Sequence, residues 1–215
     1  IFENPNPNSN PNSNPNPNTN PNTNSRTIFF IYEVKKLLGK KFSELNEKQI
    51  EMLAYEIKPD ADDNILIIDN DTCKSYYPDE IATHLFMSFK LKAELFLSKK
   101  FNTRITITNS VISVPAYFNK NQRQIIKNSA EYAGFKVLRL INEPTAAAIC
   151  YGLNKSNKLD GLNIVVFDFG GGTFDSALVK VEDGIIKVID TEGDNFLGGK
   201  NLDEAIVENV FIPYL

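Results

Sequence analysis

The chain contains no tryptophan, one histidine and only two cysteines among its 215 residues. Cys73 and Cys150 stand far apart, so neither a disulfide framework nor a four-ligand zinc site is suggested, and a reducing compartment is the default expectation. His84, the lone imidazole, lies beside Leu85 on a helix-periodic stretch, where packing or a surface position outweighs catalysis. No run approaches the roughly 18 apolar residues of a membrane span. The first residues show no basic-then-apolar leader, although the chain opens with Ile1 rather than Met. A cytoplasmic location is the expectation, with an organelle left open. An excess of positive charge is also lacking. The formal net charge is −4, and the pairs Lys35-Lys36, Lys40-Lys41 and Lys99-Lys100 are scattered, so no nucleic-acid partner is expected.

At 42% hydrophobic content the chain can bury a substantial core over one or two domains. Its first 26 residues cannot contribute. From Asn4 to Asn24 every even position is Asn, separated only by Pro, Ser or Thr, which leaves nothing to bury and predicts a disordered low-complexity tract. Six prolines within it oppose continuous strand pairing.

Beyond the tract, apolar periodicity predicts a short helix at Val34–Phe42, a strand at Ile65–Asp69 and a long, well-packed helix over about Asp79–Lys99. Strand character follows from Ile105 and should end at Pro115, which cannot donate to a ladder. Asn119 with Gln122 reads as a capping box opening a helix that Gly134 closes. A strand at Val137–Ile141, an Ala-rich helix from Pro144 to Gly152 and a strand at Ile164–Phe167 come next. Two β-rich runs then flank the turn Glu182-Asp183-Gly184, and Asn201 is expected to cap a last helix. Strands alternating with helices, joined to an antiparallel hairpin, give a mixed α/β fold.

The chemistry concentrates in Val165–Asp175, where an apolar strand ends in Asp168 and meets Gly170, Gly171, Gly172 and Thr173. Glycines able to take positive φ let backbone amides approach anionic oxygens, and a carboxylate beside them can hold a divalent cation, directly or through water. The plain alternative is a glycine-rich hairpin connector. This is no P-loop, because no G-x-x-x-x-G-K-[ST] is present and the glycines lead into a strand.

Four further blocks accompany it in order: Val114-Pro115-Ala116-Tyr117-Phe118-Asn119, Gln122-Arg123-Gln124, Ile141 to Ala148, and Gly193-Asp194 with Leu197-Gly198-Gly199. Together they resemble the ATPase domain of the seventy-kilodalton heat-shock chaperones, and Tyr32–Lys40 resembles the helix carrying that family's catalytic lysine. The resemblance runs from about Thr27 to the last residue and is weakest over Ser43–Ser75. It implies a partial actin-like ATPase (ribonuclease H-like) α/β fold, with residues 27–156 in the first lobe and 157–215 opening the second. By the same resemblance Lys35 is the catalytic lysine, Glu143 the carboxylate that orients water, and Asp168 the carboxylate that holds hydrated Mg2+. Gly170 to Gly172, Thr173, Gly198 and Gly199 would contact ATP or ADP, and Pro115 and Arg123 would couple nucleotide state to a peptide-binding domain. Unfolded polypeptide clients, J-domain co-chaperones and nucleotide-exchange factors are the implied partners.

Lys200 and Asn201 depart from the resemblance, since family members commonly carry acidic residues there. The family's first phosphate hairpin, its adenosine pocket and its peptide-binding domain have no counterpart in these residues, so weak or no turnover by this polypeptide alone is expected. A relative that binds nucleotide unproductively and serves as an exchange factor or scaffold is the competing reading. A sugar kinase of the same superfold is disfavoured by the blocks at Val114–Asn119 and Asn142–Ala148.

Overall fold

A computed structural model describes residues 29–153, 161–182 and 185–214. The Asn/Pro tract and the centre of the turn at Asp183-Gly184 lie outside the described residues.

The N-terminal part is a small α/β unit. After a 3-10 turn at Val34–Lys36 and a short helix α1 (Glu47–Glu51), strands β1 (Glu56–Pro59), β2 (Ile65–Asp69) and β3 (Lys74–Tyr76) form an antiparallel sheet in that order. Ile65 and Ile67 alternate with half-buried residues along β2 and meet Val34, Leu37, Leu45, Tyr55 and Ile57 in one apolar cluster. The helix expected over Val34–Phe42 is a single turn. Leu37 and Leu38 are pulled into the interior, and Gly39, at φ +70, approaches Gln122 so closely that a Cβ would lie 2.8 Å from its Cγ. The Gln122 amide seals this approach by donating to the Leu38 carbonyl at 3.1 Å.

Helix α2 (Pro78–Phe101) is longer than its sequence pattern predicts and is not well packed. Ala82 is buried, and Phe86, Ala93 and Leu97 are half-buried, whereas Leu85, Phe89 and Phe96 face outward. Phe86 meets Phe135 edge-on at 6.5 Å. The Ile105 stretch does not join a ladder at once, because the Ile105 amide is bound by Ser98 Oγ and that of Ile107 by Glu94 Oε1, both on α2. Strand β4 therefore begins only at Asn109 and runs to Val114.

Helix α3 (Lys120–Tyr132) opens as predicted. Asn119 Oδ1 accepts from the Gln122 amide at 2.9 Å and Gln122 Oε1 from the Asn119 amide at 3.1 Å, while Gly134 sits just beyond the helix end at φ +84. The chain returns as β5 (Lys136–Asn142), parallel to β4, and enters α4 (Glu143–Leu153) without a loop. This β4-α3-β5 crossover is the parallel unit that the alternation of elements predicts.

The C-terminal part is an antiparallel meander of β6 (Asn163–Phe169), β7 (Phe174–Glu182) and β8 (Ile185–Asp194). One face buries Ala177, Val179 and Val181, with Ile164, Val166, Ile186 and Val188 half-buried around Ala148 of α4. The last helix, α5 (Gly199–Ile206), starts at Gly198 instead of Asn201. Asn201 occupies the third helical position, and its Oδ1 accepts from the Gly198 amide at 2.9 Å. Among the described residues no helix is long and apolar enough to cross a membrane.

Candidate functional site

Three turns converge where the two parts meet. The first carries Lys35. The second is the joint between β5 and α4, where Asn142 ends the strand and Glu143 begins the helix with Pro144 buried behind it. Lys35 Nζ donates to Glu143 Oε1 at 2.9 Å and to Oε2 at 3.2 Å, joining residues 108 positions apart. Arg123 holds the scaffold beneath this joint. Its guanidinium donates to the carbonyls of Phe118 (2.8 Å), Ala116 (2.9 Å) and Pro115 (3.3 Å) and to Asn142 Oδ1 (2.9 Å). Pro115 and Arg123 are thus in direct contact, and one side chain fixes both the bend after β4 and the residue preceding Glu143.

The third turn is Gly170–Thr173, which joins β6 to β7. The Gly170 amide donates to the Thr173 carbonyl at 2.9 Å, and Asp168 lies directly opposite Asp175 in the antiparallel register. None of Gly170, Gly171 and Gly172 takes positive φ. A Cβ on Gly171 would meet nothing within 4 Å and one on Gly170 or Gly172 would make only ordinary contacts at 3.4 Å, so close approach is the property of the glycines that face this turn. The turn Gly198-Gly199 lies on top, with the Gly199 amide donating to the Gly170 carbonyl and the Lys200 amide to the Gly171 carbonyl, each at 2.9 Å. A Cβ on Gly198 would fall 2.6 Å from the backbone of Gly171 and Gly172, and one on Gly193 would fall 2.6 Å from the Phe174 carbonyl oxygen. The two glycine turns are therefore locked together, a pairing that their separation in sequence hides.

Asp175 is 1% exposed, and its Oδ1 has no hydrogen-bond partner. Burial, then the negative charges of Glu143 and Asp168, push its carboxyl above the usual range against the opposing Ala116 amide and Lys35. Tyr117 is a neighbour in the same condition. Its buried hydroxyl makes no well-formed hydrogen bond, and burial followed by the Asp175 and Glu143 charges raises its pKa against the neighbouring Thr173 hydroxyl, which lowers it. Two buried polar atoms beside a lysine–carboxylate pair thus keep hydrogen-bonding capacity that the chain does not fully use. Sequence reasoning missed Tyr117. Its position inside the Val114–Asn119 block was the available signal.

The carboxylates present suit a hydrated Mg2+. Among the described residues no group of three acidic, histidine or cysteine side chains could hold a metal by itself. Asp168, opposite the orphaned Asp175 oxygen, fits an ion that keeps several of its waters. The structure brings Lys35 and Glu143 into contact, sets Asp168 and Thr173 at the two ends of the glycine turn, and stacks Gly198-Gly199 on that turn.

A family model described as Hsp70 protein matches residues 18–213. The chain belongs to the Hsp70 family. It is 42% identical over 177 residues to the chaperone protein dnaK of Cyanidium caldarium, an alignment covering 82% of this chain and 27% of that protein. It is 40% identical over 177 residues to the proteins of the same name from Cyanidioschyzon merolae (strain NIES-3377 / 10D) and Gracilaria tenuistipitata var. liui, again over 82% of this chain and 28% and 27% of theirs. The chain thus spans little more than a quarter of these relatives' length. Its described residues, a mixture of helices and sheets, are those of the family's actin-like ATPase fold.

Proposed function

We propose that this chain is the nucleotide-handling part of an ATP-dependent chaperone, in which ATP binding and hydrolysis are coupled to binding and release of unfolded polypeptide. The observation that carries the proposal is the Lys35–Glu143 pair close to the buried Asp175, whose Oδ1 lacks a partner, at the neck of a glycine hairpin. In this reading residues 27–156 belong to the first lobe and 157–215 to the second. Unfolded clients, J-domain co-chaperones and nucleotide-exchange factors are partners suggested by family membership.

Phosphoryl transfer asks a protein mainly for placement and electrostatics. The backbone of Gly170–Gly172 and the Thr173 hydroxyl would hold the β- and γ-phosphates, with Gly198-Gly199 fixing the shape of that turn. Lys35 would place its ammonium against the γ-phosphate and the attacking water, and Glu143, already bonded to Lys35, would orient that water and accept from it. Asp168 would hold hydrated Mg2+, which when bound offsets phosphate charge. At about 4 Å and an effective dielectric near 20, one such charge pair is on the order of 4 kcal/mol, enough to matter by orders of magnitude in rate.

MgADP binding to the 215-residue chain and phosphate release from MgATP test the assignment. Asp168→Asn should weaken MgADP binding at least about tenfold. Lys35→Ala should leave binding within a few-fold and reduce whatever phosphate release is present by about a hundredfold, the usual scale for a group acting in the transition state. Because the described residues supply one phosphate hairpin, turnover will be slow and binding is the primary readout. MgADP binding indifferent to Asp168→Asn would remove the metal assignment, and no detectable nucleotide binding would remove the whole reading.

A further inference from the structure

Glu33 holds a left-handed backbone, φ 57 and ψ 20, immediately before the turn that presents Lys35. A glutamate stays in that region only where its surroundings hold it there. Its surroundings are two ammonium groups. Glu33 Oε1 lies 2.9 Å from Lys36 Nζ and Oε2 lies 3.2 Å from Lys200 Nζ, with Lys36 buried and Glu33 nearly so. Burial opposes ionisation of Glu33, but hydrogen bonds from Lys36 and Lys200 outweigh it and its carboxyl is held below the usual range. Lys200 also reaches Glu204 at 3.6 Å and lies over the Tyr32 ring at 5.1 Å.

The location gives this cluster its meaning. A Cβ placed on Gly172 would sit 3.4 Å from both Glu33 Oε1 and Lys36 Cε, so the ion cluster packs against the glycine turn itself. Lys200 belongs to the same turn through its backbone, whose amide donates to the Gly171 carbonyl. Phe196 adds cation–π contacts across the same seam, with Lys40 Nζ 4.6 Å and Lys36 Nζ 5.5 Å from its ring centre. The Glu33–Lys200 pair, the Lys200–Tyr32 contact and the contacts of Phe196 with Lys36 and Lys40 join the Lys35 segment to the Gly198-Gly199 segment, some 160 residues later in the chain.

We propose that Glu33 and Lys200 are positioning residues, an ion pair that fixes the spacing between the Lys35 turn and the two interlocked glycine turns. The proposal deepens the nucleotide reading and rests on it for its functional consequence. It also accounts for the cation at position 200. With an acidic residue there, Glu33 would face a like charge, so the acidic pattern expected from the family and the Glu33 seen here are incompatible at this seam.

Lys200→Met is the informative variant because it leaves the Glu33–Lys36 pair intact. Hydrogen exchange of the Gly199 and Lys200-position amides, which bond to Gly170 and Gly171, reads the docking of the two glycine turns without any nucleotide. Lys200→Met should speed exchange at these amides at least about fivefold and weaken MgADP binding about threefold or more, whereas Lys200→Arg should retain both. Combined with Glu33→Gln, Lys200→Met should add little to the single Glu33→Gln effect, because both remove one interaction. Exchange in Lys200→Met equal to the parent, or Lys200→Arg as disturbed as Lys200→Met, would overturn the proposal. If exchange responds as expected and neither protein binds MgADP, the tie stands and the nucleotide reading falls. If the parent binds MgADP and exchange is indifferent to Lys200→Met, the tie falls and the nucleotide reading stands.

Discussion

Asp175 carries an unsatisfied oxygen in a buried position, and its cost is set by pH. Its folded-state pKa lies above the unfolded value, so the folded chain holds the proton more tightly. Its own contribution to stability is therefore greatest below the ordinary carboxylate range and declines as pH rises through it toward the raised value. Asp175→Asn should flatten the mildly acidic part of a urea-stability profile and leave the chain at neutral pH as stable as the parent or more so. Glu33 behaves oppositely. Its lowered pKa means that its contribution is present above the ordinary range and is lost as pH falls below it, so Glu33→Gln should weaken the chain at neutral pH and matter little in acid. At Gly198 the argument is steric. Gly198→Ala places a methyl group 2.6 Å from backbone atoms that cannot rotate away, and a loss of about 1–3 kcal/mol in denaturant unfolding is expected from such overpacking.

Elements set by local chemistry were legible in the sequence, and elements set by distant contacts were not. The α3 helix was readable because Asn119, Gln122 and Gly134 act within a few residues of one another, and Asn119→Ala should cost about 1 kcal/mol by thermal unfolding. The turn at Val34–Lys36 was misread as a helix because what ends it is Gln122, far along the chain. Strand β4 starts late because side chains of α2 take the amides that would have extended it. The same division holds in the site. The motif segments could be recognised one at a time, and the family resemblance implied separate roles for Lys35 and Glu143 but not their contact. The Glu33–Lys200 pair, the Gly198–Gly171 approach and the Tyr117 hydroxyl needed three dimensions, because each depends on two segments meeting. Asn201 was misplaced as a cap for a simpler reason: the glycine before α5 carries no side chain to announce itself, and Asn201 serves the same amide from the third position.

For the molecule as a whole, what is uncovered is as informative as what is buried. The open face of the meander carries Val165, Phe167 and Phe169, with Phe167 69% exposed, its ring stacked on that of Phe169 at 6.4 Å and tilted against that of Phe174 at 4.8 Å. Helix α2 turns Leu91, Leu95, Phe96 and Phe101 outward along its length. Apolar area on this scale drives association in water. The chain in isolation should therefore bind a hydrophobic dye and sediment as more than a monomer at micromolar concentration, and Phe167→Ser should reduce both signals without disturbing the buried face of the sheet. The two-stranded β4–β5 pair adds to this exposure through Val111 and Leu138, which stand out from a parallel ladder of the kind that is normally covered on both sides. A polypeptide displaying bare aromatic clusters and a greasy helix satisfies the physical criterion by which quality-control machinery recognises cargo, so this member of the Hsp70 family, met on its own, would itself attract such machinery.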